Sequence, residues 1–174
     1  MLKLRFQLLL CVAMLAAGPT AAQAQSWKKH TYAEDGFEVE FSGPVKIYPT
    51  DINEETRRVV VRSTNYLQDS VDDAYIVGAT TYVMTDVRFE EGAKGSFNAM
   101  RCQTMDYDRP LAVPGVPRAR EMSGTSCGDV SFSAVARYFN IGARFYQVLA
   151  VFKTQGGGAA GAERFVRSFN LISK

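Results

Sequence analysis

Histidine and cysteine are scarce in this sequence, and their scarcity restricts the chemistry that it supports. The 174-residue chain contains one histidine, His30, and three cysteines. One histidine cannot build a histidine-rich zinc site, and a cysteine engaged in a disulfide cannot supply the thiolate that binds zinc. His30 follows Lys28 and Lys29, so we expect a solvated side chain there. We assign no metal ligand, cofactor or catalytic residue.

The first 24 residues have the layout of a secretory signal peptide. Lys3 and Arg5 form a positive start, an apolar run follows at 8–17, and small residues stand near position 24. An apolar run of about ten residues is too short to span a bilayer stably. We therefore predict a periplasmic or secreted protein that begins near Gln25 and has no membrane span after cleavage. An uncleaved N-terminal anchor is the alternative.

The charges of the mature chain balance, which removes any general attraction to polyanions. The chain has 20 Lys and Arg and 18 Asp and Glu. Removing Lys3 and Arg5 with the signal leaves 18 of each sign. We expect no nucleic acid partner. Residues 25–174 are of a size that forms one domain with a sizeable core.

Two cysteines, Cys102 and Cys127, remain after cleavage. An even pair in an oxidising compartment predicts one disulfide. It would close a loop of about 25 residues and contribute about 3.5 kcal/mol. If residues 89–107 form one helix with Ala93 and Phe97 in its buried stripe, Cys102 points to the outer side of that helix. The following segment must then fold back over it.

Alternating apolar residues predict the architecture of the C-terminal part. A hairpin is expected with its turn at 140–142. Its first strand places Val130, Phe132, Ala134, Ala136 and Tyr138 on one face. Its second strand places Phe145, Leu149 and Val151 on one face and Tyr146, Val148, Ala150 and Phe152 on the other. A helix follows, with Ala162, Phe165, Val166 and Phe169 on one face.

The rest of the chain reads mainly as strands. Expected strands lie at 26–32, 37–41, 57–67, 74–84 and 118–127, with irregular segments at 45–55 and 108–117 and a helix at 89–107. The strand at 74–84 is apolar on both faces, which is typical of a central strand. These elements predict an α+β domain, an antiparallel β-sheet with helices packed on it.

Core and turn positions over most of the mature chain form a familiar pattern. They are Trp27, Tyr32, Gly36-Phe37-x-Val39-x-Phe41, Gly43-Pro44, Gly142–Tyr146 and Arg164–Phe169. The pattern resembles the PsbP-like families of small exported proteins, which are named for an accessory protein of photosystem II and share a fold with a Ran-binding nuclear-import factor. The resemblance implies an α-β-α sandwich around an antiparallel sheet, and it implies no site residue.

Gly124–Gly128 contains a G-x-S-x-G sequence around Ser126. A nucleophile elbow needs a strand before the serine, a helix after it and a later histidine. Here we expect a strand after Ser126, and His30 lies far upstream. A turn that presents a disulfide cysteine is the preferred interpretation.

Three other features of the sequence are candidate ligand-binding sites. Asp69, Asp72 and Asp73 form an acidic turn, but their spacing does not match a calcium loop. The glycines of 156–161 precede a helix, without the Lys-Ser or Lys-Thr of a P-loop. Arg57, Arg58 and Arg62 are expected on one strand. Arg58 and Arg62 would share a face and form a small patch for an anion or a partner.

The leading hypothesis is an exported, non-enzymatic domain that binds a protein or another envelope component. Two alternatives stay open. One is an envelope hydrolase that uses paired carboxylates or Ser126. The other is a small-ligand carrier with a cavity between sheet and helix.

Overall fold

The computed structural model describes residues 26–85, 87–128 and 131–172. The expected signal peptide and Val130 lie outside these ranges. The described residues form an α+β structure of mostly antiparallel sheet with three helices. Its elements in chain order are β1 Lys28–Tyr32, β2 Phe37–Phe41, β3 Lys46–Pro49, α1 Glu54–Arg57, β4 Val60–Asp69, β5 Asp73–Tyr82, α2 Phe89–Asn98, β6 Thr104–Pro110, β7 Arg118–Cys127, β8 Phe132–Ile141, β9 Arg144–Lys153, α3 Gly158–Ser168 and β10 Asn170–Leu171.

The strands form two antiparallel sheets. The larger has seven strands in the order β3-β4-β5-β9-β8-β7-β6, and the smaller has three in the order β1-β2-β10. β8 and β9 pair along their whole length, from Phe132 opposite Lys153 to Ile141 opposite Arg144. The turn between them contains Gly142 with φ +53°, a conformation that glycine adopts at little cost.

One core lies between the large sheet and a layer made of α3 and the small sheet. Phe37, Val39 and Phe41 alternate inward from β2 and are fully buried. Phe165 of α3 packs between Phe41 and Tyr75, with ring centroids 5.2 and 5.0 Å away. The predicted alternation of β2 and the predicted apolar face of α3 are both confirmed.

The opposite face of the large sheet carries the second core. Phe89, Ala93 and Phe97 of α2 are buried there, in one cluster with Met122 and Tyr138. The side chains of β9 divide between the two cores as the period of two predicts. Phe145 and Leu149 join the α2 side, whereas Tyr146, Val148 and Ala150 join the α3 side.

The predicted helix at 89–107 was too long. α2 ends at Asn98, and Thr104 and Tyr107 lie in edge strand β6. Cys102 therefore lies between α2 and β6, not on the outer side of a helix. It reaches Cys127 at the end of β7, and the two cysteines are joined in a disulfide. β6 also replaces part of the loop expected at 108–117, because a proline is tolerated at the end of an edge strand.

The segment before β4 was also assigned wrongly. β3 lies within the stretch expected to be irregular, and α1 begins at its end. Arg57 ends α1, Arg58 caps it, and β4 begins only at Val60. The Asn53 side chain accepts a 2.8 Å hydrogen bond from the Thr56 N–H at the start of α1, which is a typical N-cap. Within residues 26–85, 87–128 and 131–172, no helix combines the length and apolar character needed to cross a membrane.

Candidate functional site

Three exposed apolar side chains lie together where β4 begins and β5 ends. Val59, Val83 and Met84 are 53%, 55% and 66% exposed. The Val83 N–H donates a 2.9 Å hydrogen bond to the Val59 carbonyl, which holds the two segments side by side. With Tyr82 and Val87 these residues form what we call the Met84 surface.

A groove of about 510 Å³ runs along the Met84 surface at the start of α2. Its lining residues are Val59, Tyr82, Met84, Val87, Arg88, Glu91 and Gly92. Val87 is buried, and Tyr82 is half-buried. Burial raises the pKa of the Tyr82 phenol above its ordinary value, so it is uncharged at neutral pH. The groove therefore offers apolar surface with two charged side chains beside it.

Hydrogen bonds to other segments of the chain hold the backbone around this groove in place. The Tyr82 N–H donates to the Ala143 carbonyl at 2.8 Å. The Arg118 guanidinium donates to the Val87 carbonyl at 3.2 Å and lies 5.9 Å from the Phe89 ring centroid. The exposed side chains of the Met84 surface thus stand on anchored backbone. Anchored backbone lowers the ordering cost of binding a partner.

Two charged residues beside the groove have no counter-ion among the described residues. Arg88 and Glu91 form no ion pair with another residue of the described ranges, although the adjacent Glu90 binds Arg120 at 2.6 Å. Charges at the edge of an apolar area contribute to the orientation and selectivity of a partner more than to raw affinity. Arg88 and Glu91 are therefore available to an incoming chain.

Ser126 does not stand in a nucleophile elbow. It lies near the end of β7 with φ +54°, and β8 follows where a helix would be required. His30, the one histidine, lies on β1 in the other sheet, where its ring packs edge-on against Phe41 at 5.7 Å. The structure therefore brings no imidazole from β1 to the β7 strand that carries Ser126.

The buried carboxylate of Glu121 on β7 forms ion pairs with two arginines. Glu121 accepts from Arg109 at 2.6 Å and from Arg137 at 2.8 Å. Burial alone would raise the pKa of Glu121, but these hydrogen bonds outweigh it and lower the pKa. A general acid of a glycosidase type needs the opposite shift. Glu121 therefore serves to hold β6, β7 and β8 together.

The acidic turn and the glycine loop, far apart in sequence, meet in the structure. They line a pocket of about 290 Å³ formed by Ser70, Asp72, Asp73, Tyr75, Lys153, Gln155, Gly156, Gly157, Gly158 and Gly161. Its charged side chains already have partners, because Asp72 binds Lys153 at 2.5 Å and Asp73 accepts from the Ser70 hydroxyl at 2.6 Å. Asp69 lies outside the pocket and binds Lys46 at 2.8 Å. Among the described residues no group of three or more His, Cys, Asp or Glu side chains is arranged to hold a metal ion.

The predicted arginine patch assumed that Arg58 and Arg62 lie on one strand, and this assumption was wrong. Arg58 caps α1 whereas Arg62 lies in β4, and a register shift separates Val60 from Arg62. Arg62 also has acidic partners already, since its guanidinium binds Glu34 at 3.0 Å and Asp35 at 3.1 Å. The two arginines therefore do not form the shared face that the sequence indicated.

The Met84 surface was not predicted. Val59 and Val83 were assigned to the interiors of strands, because the sequence places them in runs of valines and other apolar residues. No local signal marks an apolar residue as exposed, since exposure depends on which element covers it. Comparison with family models and with curated proteins found no match for this chain.

Proposed function

We propose that this protein is an exported, non-enzymatic domain that binds a protein partner of the cell envelope through the Met84 surface. The observation that carries the proposal is a groove lined by Val59 and Met84, with Val83 next to Met84 in the chain. All three residues are more than half exposed. Contiguous exposed apolar area with a charged edge is typical of protein-binding surfaces.

The chemistry of the surface favours a protein over a lipid bilayer. One cation and one anion, Arg88 and Glu91, flank the groove, so it has no excess positive charge for anionic headgroups. A methionine side chain adapts its shape to irregular apolar partners. The partner that fits is a peptide segment or helix with a few apolar side chains between charged residues.

Export and the PsbP-like resemblance belong to the same proposal. A disulfide between Cys102 and Cys127 is compatible with an oxidising compartment. An antiparallel sheet with a helix on each face is in keeping with the sandwich that the resemblance implies. The relatives named in that resemblance act as accessory or partner-binding proteins, which agrees with a binding role.

Site-specific photo-cross-linking in the producing cell tests the proposal. A photoreactive amino acid replaces Met84 in one variant and Val71 in the control. Val71 lies in the β4–β5 turn and is 85% exposed, so it reports non-specific contacts. We expect a discrete protein adduct from position 84, none from position 71, and loss of the adduct when Val83→Asp is added.

Three results would overturn the proposal. Equal adducts from positions 84 and 71 would show that the contact is not specific to the Met84 surface. An adduct with the mass of two copies of this chain would assign the surface to self-association. The absence of any adduct from position 84, with the variant correctly folded and exported, would leave the surface without a partner.

A further inference from the structure

A second pocket, separate from the Met84 surface, surrounds Arg144. It has a volume of about 560 Å³, and the two pockets share no lining residue. Five segments meet there: the β1–β2 turn, β5, the loop after β6, the β8–β9 hairpin and the end of β10. Its lining residues are Gly36, Thr81, Pro114, Gly115, Val116, Ile141, Ala143, Arg144, Tyr146, Leu171 and Ile172.

The backbone of Arg144 is fixed at the start of β9. The buried Asn140 amide donates to the Gly142 carbonyl at 3.1 Å and to the Arg144 carbonyl at 2.9 Å. Arg144 also pairs with Thr81 of β5 and Ile141 of β8. These contacts set the direction in which the Arg144 side chain leaves the sheet.

Gly36 makes room for the Arg144 guanidinium. A Cβ atom at position 36 would lie 2.4 Å from an Arg144 Nη atom, so the guanidinium would have to move away. Gly36 also has φ +74°, so the turn itself favours glycine. The half-buried guanidinium therefore lies directly over the β1–β2 turn.

The acidic residues of that turn form ion pairs with a different arginine. Glu34 and Asp35 bind Arg62, and the Asp35 carboxylate also accepts from Tyr66. Arg144 makes no ion pair with any carboxylate in the part of the chain that the structure describes. It lies beside the Tyr146 hydroxyl, which itself donates to the Asp35 carbonyl at 2.7 Å. Burial raises the pKa of Tyr146 and the neighbouring Arg144 opposes that shift.

We propose that this Arg144 pocket binds a small amphipathic carboxylate. Arginine binds carboxylates through two parallel N–H donors, and partial burial strengthens such bonds. The carboxylate would bind Arg144, with the Thr81 hydroxyl as a further polar contact. The apolar body would lie on Pro114, Val116, Ile141 and Leu171, and the volume lies within the range of small-molecule sites.

The single cation favours a carboxylate over a phosphate monoester. Among the residues that the structure describes, no lysine and no second arginine lines the pocket. One guanidinium matches one negative charge, whereas a phosphate monoester carries nearly two at neutral pH. The proposal does not depend on the Met84 surface, so Val83→Asp should leave ligand binding in the Arg144 pocket unchanged.

Calorimetric titration of the purified mature protein with decanoate, decanol and decyl phosphate tests this inference. We expect decanoate to bind at least about tenfold more tightly than decanol. Arg144→Gln should weaken decanoate binding by about ten- to hundredfold, as expected for a lost charged hydrogen bond. Arg144→Lys, which keeps the charge but loses the planar fork, should bind with intermediate affinity.

Arg58→Gln is the matched control, because it removes one exposed positive charge outside the pocket. It should bind decanoate as the wild type does, and both variants should keep the wild-type circular dichroism and Tm. Equal affinity for decanoate and decanol, or for wild type and Arg144→Gln, would overturn the proposal. Tighter binding of decyl phosphate than of decanoate would overturn the assignment of a carboxylate.

Discussion

Tyr66 donates its hydroxyl hydrogen bond to the carboxylate of Asp35, and both side chains are buried. Tyr66 belongs to β4 of the large sheet, and Asp35 lies in the turn between β1 and β2 of the small sheet. Arg62 binds the same carboxylate. The contact therefore joins the two sheets next to the Arg144 pocket.

Tyr66→Phe should lower the free energy of unfolding by about 1–3 kcal/mol. The change removes one donor from a buried, charged acceptor and leaves the ring in place. Urea unfolding followed by circular dichroism measures it. The matched control is Tyr48→Phe, because Tyr48 is 49% exposed on edge strand β3 and should change stability by less than about 0.5 kcal/mol. Equal effects of the two changes would mean that the Asp35 contact does not stabilise the fold.

Phe165→Ala should destabilise the protein by about 3–5 kcal/mol. The Phe165 ring is fully buried between Phe41 and Tyr75, so truncation leaves a cavity between α3 and the large sheet. Chemical denaturation gives the value, and Tyr48→Ala serves as the exposed aromatic control. A loss below about 1 kcal/mol would show that α3 is not packed as described.

The Cys102–Cys127 disulfide should contribute about 3.5 kcal/mol to stability, because it lowers the conformational entropy of the unfolded chain. Denaturation of the native protein and of the Cys102→Ala, Cys127→Ala double variant measures this difference. Mass spectrometry after alkylation, with and without reductant, tests the bond itself. Two alkylated thiols in unreduced protein from the periplasm would contradict it.

Stability should fall at alkaline pH because of the buried tyrosines. Burial raises the pKa of Tyr138 to about 12, whereas an unfolded tyrosine ionises near about 10. The neutral phenol therefore stabilises the fold fully below about pH 10, and this contribution is lost as the pH rises from about 10 to about 12. Its loss amounts to about 1.4 kcal/mol per pH unit in that window.

Tyr138→Phe should reduce the slope with which stability falls at alkaline pH. The reduction should equal the contribution of one ionising group, about 1.4 kcal/mol per pH unit. Urea unfolding at intervals from pH 8 to 11.5 compares the variant with the wild type. Tyr48→Phe, which removes an exposed phenol, serves as the control for the loss of a hydroxyl group. Identical slopes for Tyr138→Phe and the wild type would show that Tyr138 is not held in its neutral form by the fold.

Regular alternation could be predicted well from the sequence. The two faces of β9 are as expected, because its apolar side chains alternate between the two cores with a period of two. The limits of β7 are also as expected. The helix at 89–107 was extended too far because Thr104 and Tyr107 continue its spacing. β6 ends that helix through pairing with β7, a long-range contact that spacing does not encode.

The two binding surfaces depend on such long-range contacts. Val83 and Met84 are exposed because none of the described elements covers them. Among the described residues Arg144 has no carboxylate partner, because Arg62, from a different strand, binds both acids of the β1–β2 turn. Neither relationship has a local signature, so sequence reasoning identified the sheet and missed both surfaces.

The affinity of the cross-linked partner for two matched variants tests the central proposal most directly. Val83→Asp places a charge in the Met84 surface, and Val71→Asp places the same charge on the exposed turn at the other end of β5. With both variants equal to wild type in Tm, we predict that Val83→Asp weakens binding at least about tenfold and that Val71→Asp has no effect. Equal affinity of the two variants would contradict the proposal that the Met84 surface binds the partner.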